Sequence, residues 1–167
     1  MLILISGLPG SGKSTLAKAY VARFGGVHIN SDLIRNELGL RGKYAPGDKE
    51  KVYVAMLEKV GNVLAAGGIA IVDSTFYKKN IRAPFEELAA ENGVSIVRIQ
   101  VQADEAVIRQ RLQKKRPDSE ADFAVYEKIR DAYEPWEAPV LVVHSDTDSL
   151  DTQIEKIDQY IRSIHDR

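Results

Sequence analysis

Met1-Leu2-Ile3-Leu4-Ile5-Ser6-Gly7-Leu8-Pro9-Gly10-Ser11-Gly12-Lys13-Ser14-Thr15 opens the chain. The first five residues are apolar and have the length of one buried strand. Gly7 through Ser14 then fits the spacing G-x-x-x-x-G-K-[ST], and a helix is predicted to begin near Lys13. A strand, a glycine-rich turn and a helix in that order make a nest for an anion. Gly7, Gly10 and Gly12 let the backbone curl so that successive N–H groups point inward. The helix N-terminus adds a partial positive charge. Pro9, Ser11 and Thr15 complete the loop. Lys13 is placed to reach the β- and γ-phosphates of a nucleoside triphosphate, and the Ser14 hydroxyl to ligate Mg²⁺.

Four further apolar runs resemble the first, at positions 27–29, 69–72, 94–101 and 140–143. Each is short, mostly β-branched and bounded by Gly, Pro, Asp or Ser, which predicts strands. Several are continuous rather than alternating, as expected of strands covered on both faces of a parallel sheet. Helical stripes lie between them. Val52, Met56, Val60, Val63 and Leu64 recur at helix spacing and stop at Gly67-Gly68. Ile81, Phe85 and Leu88 form a second stripe, in which Pro84 must lie in the first turn or kink the helix. Leu150, Ile154, Ile157, Ile161 and Ile164 form a third. The order β-α-β-α-α-β-α-β-α-α-β-α predicts an α/β fold, a parallel sheet with helices on both faces. Residues 1–167 read as a single domain, with no internal repeat or linker.

The 167 residues carry 23 Lys+Arg, 24 Asp+Glu and no Cys. The missing cysteines exclude a disulfide scaffold, a zinc–thiolate site, an iron–sulfur cluster and a cysteine nucleophile. A formal net charge of −1 argues against indiscriminate binding of polyanions. The opening apolar run has no basic flank and ends at Ser6-Gly7, so neither a signal peptide nor a spanning helix is predicted. These features predict a soluble cytoplasmic protein without a membrane partner.

The segment after the second strand reads Asn30-Ser31-Asp32-Leu33-Ile34-Arg35. Ser31 can cap a helix starting at Asp32, which puts Asp32 and Arg35 on one face. In a sheet of this kind that strand end opens onto the same crevice as the phosphate loop. A carboxylate there can accept the proton of an attacking hydroxyl, and an arginine one turn later can hold a phosphoryl group or an acceptor anion. The plainer alternative is a surface ion pair at a helix start. The third strand ends Ile71-Val72-Asp73-Ser74-Thr75. Asp73 can hold a magnesium-bound water or orient the acceptor, or it can simply cap a turn. Arg82, with Lys78 and Lys79 nearby, can contact an anionic acceptor or remain solvated.

Arg109-Gln110-Arg111-Leu112-Gln113-Lys114-Lys115-Arg116 holds five basic residues and no acid. Pro117-Asp118-Ser119 breaks it before a second helical stretch at 120–134. A basic helix–turn–helix at about 109–134, ahead of the last strand, is read as a lid. Its closure would bring arginines onto the phosphates and exclude water.

The loop identifies a triphosphate rather than a reaction. A guanine-reading Asn-Lys-x-Asp is not present after the last strand, where the chain reads His144-Ser145-Asp146-Thr147-Asp148. The paired acids of a motor are missing after the third strand, where Asp73 is followed by Ser74-Thr75. A kinase is the strongest class remaining.

Taken together, the loop, Asn30-Ser31-Asp32-x-x-Arg35, Val72-Asp73-Ser74-Thr75-Phe76 with Arg82, and the stretch from Arg111 to Arg116 resemble the small P-loop kinases. These are related to the kinase domain of polynucleotide kinase, to zeta toxins and to gluconate- and shikimate-type kinases. The resemblance covers almost the whole chain, including Tyr44 and Tyr133-Glu134-Pro135. It implies a three-layer P-loop NTPase sandwich, with a five-stranded sheet in order 2-3-1-4-5 and a helical lid. It implies ATP as donor and Mg²⁺ at Ser14 and, through water, Asp73. It implies Asp32 as the catalytic carboxylate and Arg35 as the partner that binds the acceptor or the transferring phosphate. Arg111 would pack on the adenine and Arg116 would reach the triphosphate. The lid sequence departs from the pattern in offering Lys115 as well as Arg116 for that last role.

The expected activity is transfer of the γ-phosphoryl group of ATP to a hydroxyl, with Lys13, Asp32, Arg35 and Arg116 catalytic and Asp73 and Arg82 on the acceptor. A small molecule suits the compact, near-neutral chain. A nucleic-acid 5′-hydroxyl suits Asp32-x-x-Arg35 with the basic residues Lys78, Lys79, Arg82, Arg41 and Lys43. A nucleotide-dependent, toxin-like regulator with little turnover is the third reading.

Overall fold

Strand β1 (Leu2–Ser6) is buried along its whole length because both its faces are covered. Leu2 and Leu4 point into one core, and Ile3 and Ile5 into the other. That two-sided burial is why the run is continuously apolar. The computed structural model describes residues 1–114 and 121–166. After β1 come α1 (Lys13–Phe24), β2 (Val27–Asn30), α2 (Ser31–Glu37), α3 (Pro46–Ala65), β3 (Ala70–Asp73) and α4 (Lys79–Glu91). Then follow β4 (Ile96–Gln102), α5 (Glu105–Leu112), α6 (Phe123–Asp131), β5 (Leu141–His144) and α7 (Leu150–His165). The alternation is the one the sequence predicts.

All strand pairings are parallel, and the order is β2-β3-β1-β4-β5. One core packs α2, α3 and α4 on the sheet through Ile34, Val52, Met56, Val60 and Phe85. The other packs α1 and α7 through Leu16, Tyr20, Ile154 and Ile157. Three layers result. The register sets Asn30 of β2 and Ile5 of β1 on either side of Asp73 of β3. The polar ends of neighbouring strands therefore lie at one edge, beside the glycine-rich loop.

The cap of α2 is Asn30 and not Ser31: the Asn30 side chain accepts a hydrogen bond from Leu33 N–H at 2.9 Å, and the helix starts one residue earlier. Pro84 lies beyond the first turn of α4, within a helix that runs on to Glu91. Within the described part of the stretch predicted as helical at 120–134, the helix spans Phe123–Asp131 and is capped by the Asp122 side chain on Val125 N–H; residue 120 lies outside the described residues. Among the described residues, no helix is long and apolar enough to cross a membrane.

Candidate active site

Gly7 has no room for a side chain. A Cβ there would lie 2.6 Å from both Ser11 Oγ and the Val101 carbonyl oxygen. Gly12, at φ +101°, occupies the left-handed region that leads the loop into α1. Between them Ser11 N–H donates to the Leu8 carbonyl at 3.1 Å, and Pro9, Gly10 and Ser11 are buried. Lys13 folds back over the loop, with Nζ 3.1 Å from the Leu8 carbonyl oxygen. Ser14 is half-buried in the first turn of α1, and Thr15 is exposed.

Behind Ser14 lies a polar network. Asn30 Nδ2 is 3.3 Å from Ser14 Oγ and donates to Asp73 Oδ2 at 2.8 Å. His28 Nε2 shares that same oxygen at 3.0 Å, which requires the proton on Nε2. Asp73 is fully buried. Burial pushes its carboxyl up, but His28, the charge of Lys13, Asn30 and Ser14 together outweigh that and hold it below its ordinary value of 3.8. Its other oxygen, Oδ1, is buried with no hydrogen-bond partner.

A divalent cation fits this donor set. A buried, ionised carboxylate with one uncommitted oxygen sits near a hydroxyl at the end of the phosphate loop. Among the described residues no group of three or more His, Cys, Asp or Glu comes together. Mg²⁺ does not need one, because it keeps several waters and binds through few protein groups plus phosphates.

Asp32 and Arg35 lie three residues apart on α2, in different environments. Asp32 is partly exposed, in the first turn. Arg35 is buried, donates from Nη1 to the Lys43 carbonyl at 3.3 Å, and lies over the Tyr44 ring at 4.6 Å. Its Nε has no partner. Tyr53 of α3 completes this corner. Burial pushes its hydroxyl up, with a hydrogen bond to Ser74 opposing.

Arg82 is placed differently from the expectation of an acceptor contact. It is only 3% exposed. Its Nε donates to the Phe76 carbonyl at 2.6 Å, Nη1 to Pro135 at 3.2 Å, and Nη2 to the Glu134 carbonyl. Its donors are committed to the main chain.

Arg111 reaches from α5 to the far end of the loop. Nη1 donates to the Gly10 carbonyl at 3.1 Å and to Ser145 Oγ at 2.9 Å. The Ser145 hydroxyl in turn donates to the Ser11 carbonyl. Arg109 lies 3.8 Å over the Phe123 ring, and Arg130 pairs with Glu105 at 2.9 Å, so α5 and α6 hold one another. Lys115 and Arg116 lie outside the described residues. A cavity of about 210 Å³ opens on the β4 side of the loop, lined by Leu8, Ser11, Gln100, Gln102, Ile108 and Tyr133.

Sequence reasoning did not single out His28, Ser145 or Tyr53, and gave Asn30 no role. Ser145 could have been found, because it follows a strand that ends at the same edge as the others. His28 shares a face with Asn30 two residues on, a period-2 signal that needs the sheet order to be meaningful.

Residues 2–136 match a family described as an AAA domain. The chain belongs to that family, a group of small P-loop kinases. The adenylyl-sulfate kinase of Myxococcus xanthus (strain DK1622) is 29% identical over 170 residues, covering 96% of this chain and 90% of that protein. The structure of Chaetomium thermophilum Kti12 in complex with ADP-AlF3 matches with a TM-score of 0.76 at 23% identity, over 97% of this chain and 98% of that one. The Mycobacterium tuberculosis APS kinase CysC, in complex with AMPPNP and APS, matches with a TM-score of 0.72 at 18% identity, over 96% of each chain. The two structures establish the shared fold.

Proposed function

We propose that the chain is an ATP-dependent kinase that moves the γ-phosphoryl group onto an alcohol of a small-molecule acceptor. One observation carries the reading. A hydrogen-bonded line runs from Ser14 through Asn30 to Asp73, and Asn30 also starts the helix bearing Asp32 and Arg35. Donor loop, metal-side carboxylate and acceptor-side pair are thereby built as one unit. The adenylyl-sulfate kinase relative supports an acceptor with an anionic group that Arg35 would meet.

In this reading ATP lies along residues 7–15. Lys13 and the loop N–H groups hold the β- and γ-phosphates, and Arg111 holds the nucleoside end. Ser14 would ligate Mg²⁺, with Asp73 acting through water. The cation neutralises charge on the triphosphate when bound. Asp32 accepts the proton of the acceptor hydroxyl as its oxygen bonds to the γ-phosphorus. The bond to the β–γ bridging oxygen breaks and ADP leaves. Arg35 steadies the acceptor or the moving phosphoryl group, and Arg116 approaches from the lid. Arg82 supports this surface from behind.

A second reading, a polynucleotide 5′-hydroxyl acceptor, is favoured by Tyr44. This ring is 45% exposed, rests on Arg35, and lies in a segment with Arg41 and Lys43. Aromatic faces beside basic residues suit a stacked base. The deciding experiment is transfer from labelled ATP onto metabolite pools and onto 5′-hydroxyl DNA and RNA. Label on a small molecule supports the first reading. Label on oligonucleotides, with steep salt dependence, supports the second. Intact ATP binding with no transfer to either would indicate a nucleotide-dependent regulator.

A further inference from the structure

Asn30 is 7% exposed, and every polar atom of its side chain is engaged. Its orientation is not arbitrary. The Leu33 backbone N–H can only donate, so the amide oxygen must face α2. The NH₂ group must then face Asp73 and Ser14, and it lies 2.8 Å from Asp73 Oδ2 and 3.3 Å from Ser14 Oγ. With His28 at 3.0 Å on the same carboxylate oxygen, Oδ2 is fixed by two donors while Oδ1 is left buried and unpartnered. Register makes this possible, because Asn30 is the direct neighbour of Asp73 across β2 and β3.

We propose that Asn30 is a positioning residue that serves both halves of the site through one amide. Its NH₂ fixes Asp73 and Ser14 toward Mg²⁺, and its oxygen fixes the first turn of α2, which carries Asp32. The inference rests on the kinase reading above and deepens it. The competing account is that Asn30 is only a helix cap. The two accounts part at Asn30→Ser, which keeps an oxygen for Leu33 N–H and removes the NH₂. Asn30→Ala removes both.

The test measures ADP affinity of the full chain, in EDTA and across a Mg²⁺ titration, with thermal unfolding in parallel. For Asn30→Ser, the half-saturating Mg²⁺ should rise about 10-fold or more, as for other groups that orient metal ligands. Its ADP affinity in EDTA should stay within about twofold of wild type, and its melting temperature should fall only through the lost donor to the buried Asp73 carboxylate, since the cap is kept. Asn30→Ala should show the same Mg²⁺ shift, with a melting temperature lower than that of Asn30→Ser by a further roughly 2–4 °C, the cost of the lost cap. An unchanged Mg²⁺ dependence in Asn30→Ser would reduce Asn30 to a cap and overturn the proposal. So would an equal loss of ADP affinity with and without Mg²⁺. Failure of the kinase reading shows separately, as wild-type protein that binds Mg²⁺–ADP yet transfers no phosphoryl group.

Discussion

Arg82 lies across Trp136, with the guanidinium carbon 4.1 Å from the ring centroid. The contact joins the start of α4 to the segment that returns from α6. Arg82 also donates to the carbonyls of Phe76, Glu134 and Pro135, and Trp136 Nε1 donates to Ser6 Oγ at 3.2 Å. Phe76 sits at φ +47°, the one positive φ outside glycine among the described residues, and is wholly buried. A non-glycine residue is held there only when its surroundings over-determine it. Arg82 supplies part of that restraint, and so links the strand that leads into the phosphate loop, the end of β3 and the segment that follows α6.

Arg82→Ala should therefore act on stability first. It leaves the buried Phe76 carbonyl and the part-buried Glu134 and Pro135 carbonyls without their donor and removes the packing on Trp136, a loss of about 2–3 kcal/mol. Arg82→Lys should lose less, since it keeps the charge but not the planar fork. Urea unfolding with ATP binding measured alongside checks this. An Arg82→Ala protein with a wild-type urea midpoint but a selective defect in acceptor KM would instead make Arg82 an acceptor ligand.

Asp73→Asn should lose stability at neutral pH, because two donors then face a neutral amide. The folded carboxyl titrates below its ordinary value of 3.8. Its contribution is thus fully present above about pH 4 and fades as pH falls through the folded pKa. The stability gap between wild type and Asp73→Asn should narrow below that pH. Unfolding free energies at several pH values test the sign, and a gap that widens in acid would contradict it.

Arg111→Ala should weaken ATP binding about 10-fold, the scale of one charge-assisted hydrogen bond. Ser145→Ala should weaken it less, since it removes a neutral hydroxyl that braces Arg111 and the Ser11 carbonyl. Calorimetric titration of both variants decides this. Equal losses would mean that Ser145, not the charge on Arg111, dominates that end of the loop.

The layered sheet was readable in the sequence because its strands are continuous apolar runs and its first turn carries a glycine pattern with few other uses. The placement of Asp32 and Arg35 on one helix was readable because the helix start follows directly from the end of the second strand. The Asn30–Asp73–His28 network was not. It joins residues 43 and 45 positions apart, through a register that no local pattern encodes. Sequence alone puts Arg82 on the acceptor, because Lys78 and Lys79 beside it suggest a basic cluster for an anion. Only the returning segment around Trp136, more than fifty residues on, buries it. Sequence alone favours Ser31 as the cap of α2, because serine is a common cap. Asn30, the last residue of β2, fills that role because α2 begins directly after it at Ser31 and its side-chain oxygen accepts from Leu33 N–H.

The most direct test of the account is Asp32→Asn, with transfer from labelled ATP and ATP affinity measured on the same preparation. The acceptor can be any hydroxyl compound that the wild-type protein phosphorylates. The prediction is a fall in transfer of about 100-fold or more, the scale of a lost general base, with ATP affinity within about twofold of wild type. An Asp32→Asn protein that transfers phosphoryl groups at the wild-type rate would contradict the mechanism.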